Sequence, residues 1–386
     1  MTFMWTNHDF RVRAAGATGD LAARFTGAEP GLIDRMEDFL ADPSPVVRAV
    51  VASRLPVAYA TGPARMWAMA DRLIRQEGDP HVIALVASSA LRVAGIDTDA
   101  CVALLAPLAT GPRTPDGVSA ESPLADVLGS GAASLYIGQD NVVAKAWVAT
   151  WTADLASYGS ELTAFANALR EPLFWRYGPG AGKESADGCD RAQDAARLVL
   201  TAAVEASTSA HEKVARLAGA PAAPETVAIY RTAERLIGCV VNQLYFGSGA
   251  YEKTVHEHQQ LADPKERGRF LLDYKTELHL AAQSHEPNTL HYLLELYAFL
   301  IPGDPVGVFE AIHGLLTGRG REEGYHFESL GAAVVVRIIR RYIADYRSIF
   351  DDGPRQARLV EVLRIFGETG WPDALALLYE LPDLLR

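Results

Sequence analysis

The chain has 386 residues, 49% of them hydrophobic and 22% charged, with a formal net charge of −12. Such a composition excludes a disordered chain, and the acidic surplus opposes broad binding to DNA or RNA, which draws on many lysines and arginines displacing counterions. No stretch reaches the roughly 18 uncharged apolar residues that a membrane span needs; the best, Leu330 to Val336, stops at Arg337. The opening residues MTFMWTNHDFRVR lack the apolar segment of a secretory signal. Cys101, Cys189 and Cys239 lie far apart without a CxxC pair. Reduced thiols, a cytoplasmic location and no membrane partner are therefore expected.

In chain order, the first informative feature is a repeat. DFRVRAAGATGDL carries Val12-Arg13, DPSPVVRAVVASRL carries Val47-Arg48, and DPHVIALVASSAL carries Val82-Ile83, so successive stations stand 35 residues apart. Self-similarity at that period marks stacked helical hairpins. In the best copy, Leu32, Met36, Phe39 and Leu40 share one helical face. Asp42-Pro43 ends that helix, and proline is tolerated in the first turn of the next. Val47, Val50, Val51 and Leu55 then form the buried face of the second helix.

Asp42-Pro43, Val47-Arg48 and Leu55 together resemble a HEAT repeat, and the resemblance covers about residues 9 to 95. In that family the turn aspartate and the helix arginine commonly form a ladder of ion pairs between repeats. The resemblance implies such a ladder at Arg13, Asp42 and Arg48. The third station has Ile83 and Ala84 where arginine would stand, so the ladder is expected to break there. Only eight residues precede Asp9, too few for a partner helix ahead of the first station. Either MTFMWTNH caps the Val12 face, or another chain or a missing N-terminal region covers it, which would make the chain part of a larger machine.

ATGPRTPDGVSAESP, from Ala109 to Pro123, reads as a long loop. A helix is expected from Val142 to about Leu169, with Trp147 and Trp151 in the core. GPGAGKESADG, Gly178 to Gly188, has the look of a phosphate-binding loop. However, Tyr177 stands where the first glycine belongs, and Glu184 replaces the magnesium-binding hydroxyl. With helix on both sides and no strand before it, the segment reads as a flexible linker. A helix is expected from Arg191 to about Leu217, and paired helices continue to the end. The expected fold is all-α, a solenoid of antiparallel helical hairpins that is irregular in its C-terminal half. Residues 1–178 would form N-terminal repeats, 179–190 a linker and 191–386 a C-terminal helical region.

Seven of the ten histidines lie between His256 and His326. Helical metal sites favour ligands three or four apart. His256 and His258 are two apart and His279, His285 and His291 six apart, so surface or hydrogen-bonded histidines are expected rather than a metal site. FGSGAY has Phe246 where a serine nucleophile elbow needs glycine, and Cys101 and Cys239 look buried and inert. No catalytic residue, metal or cofactor is expected. Arg337, Arg340, Arg341 and Arg347 fall within about 120° of a helical wheel, where guanidinium groups could take phosphates or an acidic partner. Arg319 and Arg321 would extend the patch if they fold nearby.

The HEAT resemblance implies a non-enzymatic scaffold, adaptor or sensor that binds a protein partner. Bacterial HEAT-like chains often serve as the recognition part of multi-component assemblies, including defence systems with an NTPase or nuclease. Some HEAT-like proteins, including a class of DNA glycosylases, bind DNA along a basic concave face, so nucleic-acid binding through the arginine stripe stands as the alternative. A metal-dependent enzyme using the histidine-rich region is a second alternative.

Overall fold

A computed structural model describes residues 10–111, 122–177, 180–217, 221–252 and 261–384. The described residues are helices and their connections, with no strand among them, so the fold is all-α. Two compact units divide at Thr150 and Trp151. No helix in the described residues is long and apolar enough to cross a membrane. Residues 1–9, most of the loop at 109–123, and His256 and His258 lie outside the described residues.

The first unit carries α1 (Phe10–Phe25), α2 (Gly31–Phe39), α3 (Pro45–Ala52), α4 (Pro56–Tyr59), α5 (Pro63–Gln76), α6 (Pro80–Val93), α7 (Thr98–Thr110) and α8 (Pro123–Ala133). Its helix starts follow from the Asp-Pro signals. Asp79 accepts a hydrogen bond from the His81 N–H while Pro80 opens α6, and the Asp42 carboxylate accepts from Ser44 N–H at 2.8 Å just ahead of Pro45. Proline fits there because a first-turn N–H has no partner within the helix.

In this unit α1, α3, α6 and α8 pack in succession, each on the next, while α2 lies on α1 and α3 and α5 lies on α6 and α7. Val47, Val51, Leu55, Met66 and Val86 are fully buried between them. Each such side chain contributes ~1.5–3 kcal/mol relative to exposure. Helix α9 (Val142–Ala153) runs through the division between the units.

The second unit carries α10 (Leu155–Asn167), α11 (Lys183–Ala215), α12 (Pro224–Gly247), α13 (Pro264–Asp273), α14 (Lys275–Ala281), α15 (Pro287–Leu300), α16 (Pro305–Thr317), α17 (Arg319–Glu322), α18 (Ser329–Asp345), α19 (Gly353–Glu368) and α20 (Pro372–Leu384). Here α10, α12, α15, α18 and α20 pack in succession, with α11 on α12, α14 on α11 and α15, and α16 between α15 and α19. The Asp-Pro start recurs: Asp263 accepts from Lys265 N–H and Asp304 from Gly307 N–H, each beside the proline that opens the helix.

Two stretches differ from the sequence expectation. The single helix expected from Val142 to Leu169 is broken at Asp154, whose side chain accepts from Ser157 N–H and starts α10. Trp147 and Trp151 are nonetheless core residues, 2% and 0% exposed. The segment 179–190, expected to be a linker, is helical from Lys183 onward. Gly182 is the last residue before α11, and Glu184 sits in the first turn, where a carboxylate is favoured by the helix dipole.

Candidate functional site

The repeat arginines bind across successive stations. Arg48 donates from Nε and Nη2 to the two carboxylate oxygens of Glu77, at 2.6 and 2.8 Å. Its Nη1 donates to the backbone carbonyls of Asp42 and Pro43, at 2.7 and 3.0 Å. Glu77 stands 35 residues after Asp42, the same place in the next station. The Arg48 guanidinium holds the Glu77 carboxyl below the usual glutamate range, against the opposing effect of burial. Asp42 takes its side-chain partner from Arg11 Nη1 at 3.2 Å, whereas Arg13 is exposed. The rungs are therefore Arg11 to Asp42 and Arg48 to Glu77, and the carboxylate of Asp42 does not meet Arg48.

Helix α1 has two unlike apolar faces. Ala15, Gly19 and Ala22 are buried, and Val12 packs on the same core. The Val12 face is thus covered from within the unit, by α2 and α3. The opposite face is open: Phe10 is 81%, Leu21 46% and Phe25 50% exposed. These three fall within about 60° of the helical wheel. Arg13 and Arg24, both exposed, flank one side of the stripe.

The C-terminal arginines Arg319, Arg337 and Arg341 line two different clefts. Arg337 donates to Glu295 at 2.5 Å, and Arg341 donates to the Ala298 carbonyl at 2.7 Å with Asp345 at 3.8 Å. Both line an open cleft of about 570 Å³ with Tyr245, Tyr251 and Arg267. Arg319 lines a different cleft, of about 520 Å³, beside His279 and Glu310. It pairs with Glu322 at 3.0 Å and Glu323 at 3.6 Å. Arg321, Arg340 and Arg347 are exposed.

The histidine-rich region separates into unlike environments. His279 is exposed, His291 Nδ1 lies 3.2 Å from the Tyr325 hydroxyl, and His313 Nε2 lies 2.8 Å from Glu361. Burial, with Arg321 nearby, pushes the His326 imidazolium pKa down. His285 is different. It sits between α14 and α15, 4% exposed, with Nδ1 2.6 Å from Glu323 Oε1. Its ring stacks on that of His211 from α11, with centroids 4.0 Å apart and planes 13° apart.

Beneath the pair lies Glu234 of α12, buried at 4%. Its carboxylate accepts from Ser207 Oγ at 2.5 Å, Ser284 Oγ at 2.6 Å and the His285 N–H at 3.1 Å. This hub ties α11, α12 and the 284–285 turn together, which fixes the backbone under His285. Burial raises the Glu286 carboxyl pKa, helped by the charges of Glu234 and Glu323. Burial likewise pushes up the Tyr230 phenol, again with these carboxylates close by.

Sequence spacing missed this cluster because its histidines lie 74 residues apart, one on α11 and one in the turn before α15, and its carboxylate comes from a third element. The only sequence signal was the concentration of histidine itself. Cys101 is fully buried, and burial pushes its thiol up to about 12. No protein-family model and no curated protein matches the sequence.

Proposed function

We propose that the chain is a HEAT-like helical adaptor whose N-terminal helix is the docking element for another protein. The exposed Phe10–Leu21–Phe25 stripe of α1 carries this reading, because its opposite face already fills the core. Leaving three large apolar side chains in water on one face is unfavourable, and a partner that covers them recovers about 25 cal/mol per Å² buried. Arg13 and Arg24 beside the stripe fit a helical partner with an apolar ridge and an acidic flank. The successive packing of α1, α3, α6 and α8, with ion pairs from one station to the next, supports a stacked-repeat scaffold. Nucleic-acid binding is the less favoured reading: Arg337, Arg341 and Arg319 are engaged by carboxylates or a backbone carbonyl, while Arg321, Arg340 and Arg347 remain exposed.

The test is site-specific photocrosslinking in the native host, with the crosslinker at Leu21 and, as control, at exposed Ile96. The expected result is one dominant heterologous adduct from Leu21, reduced by Arg13→Glu/Arg24→Glu and missing from Ile96. Equal adduct patterns at both sites, or adducts to the chain itself alone, would refute the docking role of α1.

A further inference from the structure

We propose that His211, His285 and Glu323 form a binding site for one divalent transition-metal ion of the zinc class. Imidazole nitrogen and carboxylate oxygen are the donor set such ions prefer, and two histidines with one glutamate leave a fourth position open. One donor atom from each residue lies within 4.8 Å of the others. The three residues come from α11, the turn before α15 and the turn after α17, so the site is built by tertiary packing.

Two further observations point to a ligand. His285 Nε2 is buried without a hydrogen-bond partner, while the side chain is only 2% exposed. The surroundings also carry more negative than positive charge: Glu234, Glu286 and Glu323 converge on the pair, and Arg319, which pairs with Glu323, is the cation at their side. A buried surplus of carboxylates favours either protonation or a cation. The hydrogen bond between His285 Nδ1 and Glu323 holds these two residues together in the metal-free state and leaves Nε2 as the ring nitrogen free to take an ion.

The stacked rings set one structural requirement. Each imidazole holds a metal in its own plane, and two nearly parallel planes cannot meet at one ion. One ring must therefore turn on binding. His285 is held by Glu323 and by its backbone bond to Glu234. His211 is half-buried near the end of α11 and has no hydrogen-bond partner among the described residues, so His211 is the ring that turns. Glu234 acts as a positioning residue, fixing the His285 backbone without touching the ion.

The test uses the full chain, stripped with chelator, reloaded with Zn²⁺ and dialysed, with metal counted by mass spectrometry. Isothermal titration of Zn²⁺ and the visible spectrum of the Co²⁺ form give affinity and coordination. One ion per chain is expected, with affinity falling at least about tenfold in His211→Ala and in Glu323→Gln, and unchanged in His279→Ala. Both informative variants replace partly exposed residues, and circular dichroism confirms that each is folded. A substoichiometric metal content in the wild-type chain overturns the proposal by itself. So does stoichiometric zinc whose affinity is the same in His211→Ala as in the wild type.

Discussion

Replacing Arg48 with methionine tests whether the rungs between stations stabilise the first unit. The Glu77 side chain is 2% exposed and that of Arg48 19%. Removing one member of a buried ion pair costs about 3–5 kcal/mol, because the remaining charge is left without its partner. Here Glu77 keeps two hydrogen bonds, from the Gly78 and Asp79 N–H groups at 2.9 Å each. Arg48 is also partly in water, which lowers its share. Arg48→Met should therefore cost about 2–3 kcal/mol. Glu77→Gln should cost about 1–2 kcal/mol, and the double variant little more than Arg48→Met, a coupling of at least about 1 kcal/mol.

Urea denaturation of the four proteins measures the cycle, and hydrogen exchange of peptides from α3 and α6 places the effect in the first unit. Additive losses, or a loss below about 0.5 kcal/mol for Arg48→Met, would refute the reasoning. The pH dependence has a definite sign. Glu77 has a folded pKa below the ordinary value of 4.5. Its contribution is therefore present above about pH 4.5 and disappears as the pH falls through the lower folded value, in the wild type and not in Glu77→Gln.

Other substitutions probe other links. A Cβ on Gly303 would lie 2.3 Å from the backbone nitrogen of Gly268; since backbone cannot step aside as a side chain can, Gly303→Ala should lower stability by about 1–3 kcal/mol in denaturant titration. Leu21→Asp/Phe25→Asp changes only the open face of α1 and should leave stability within about 0.5 kcal/mol while abolishing the Leu21-side adduct, read from a crosslinker moved to Phe10. Cys101 and Cys189 are buried, so neither should react with iodoacetamide at pH 8 in the folded chain, whereas peptide mapping after denaturation should find both labelled. Glu234→Gln removes a charge that three donors share, and should cost about 1–3 kcal/mol by the same titration.

The helical class was legible because its signals are local. Asp79-Pro80, Asp263-Pro264 and Asp304-Pro305 each place an acceptor one residue before a proline, and the backbone reads that pair over a few residues. The second-helix pattern of Val47, Val51 and Leu55 was equally local, and all three are buried. What failed locally failed through competition. Glycines 178 to 182 suggested a linker, yet the sequence after Gly182 is good helix, so the glycines end where α11 begins. Asp154 broke a predicted helix because an aspartate that caps the next helix outweighs continued apolar spacing. Glu77 as the partner of Arg48, and the meeting of His211, His285 and Glu323, depend on which helix lies against which, and one-dimensional spacing carries no such information.

Helix α11 is a long, uninterrupted element of the second unit. Its 33 residues run without an internal proline from Lys183 to Ala215, about 50 Å at 1.5 Å per residue. Near one end, the Cys189 thiol donates to the Leu173 carbonyl; midway, Arg197 and Gln193 grip the fully buried Glu277; near the other end, Ser207 holds Glu234 and His211 meets His285. Cys189 and His211 are about 33 Å apart along that rod. One uninterrupted helix therefore joins the Cys189 contact, the Glu277 contact and the His211–His285 pair, so three sets of tertiary contacts in the second unit share a single continuous backbone.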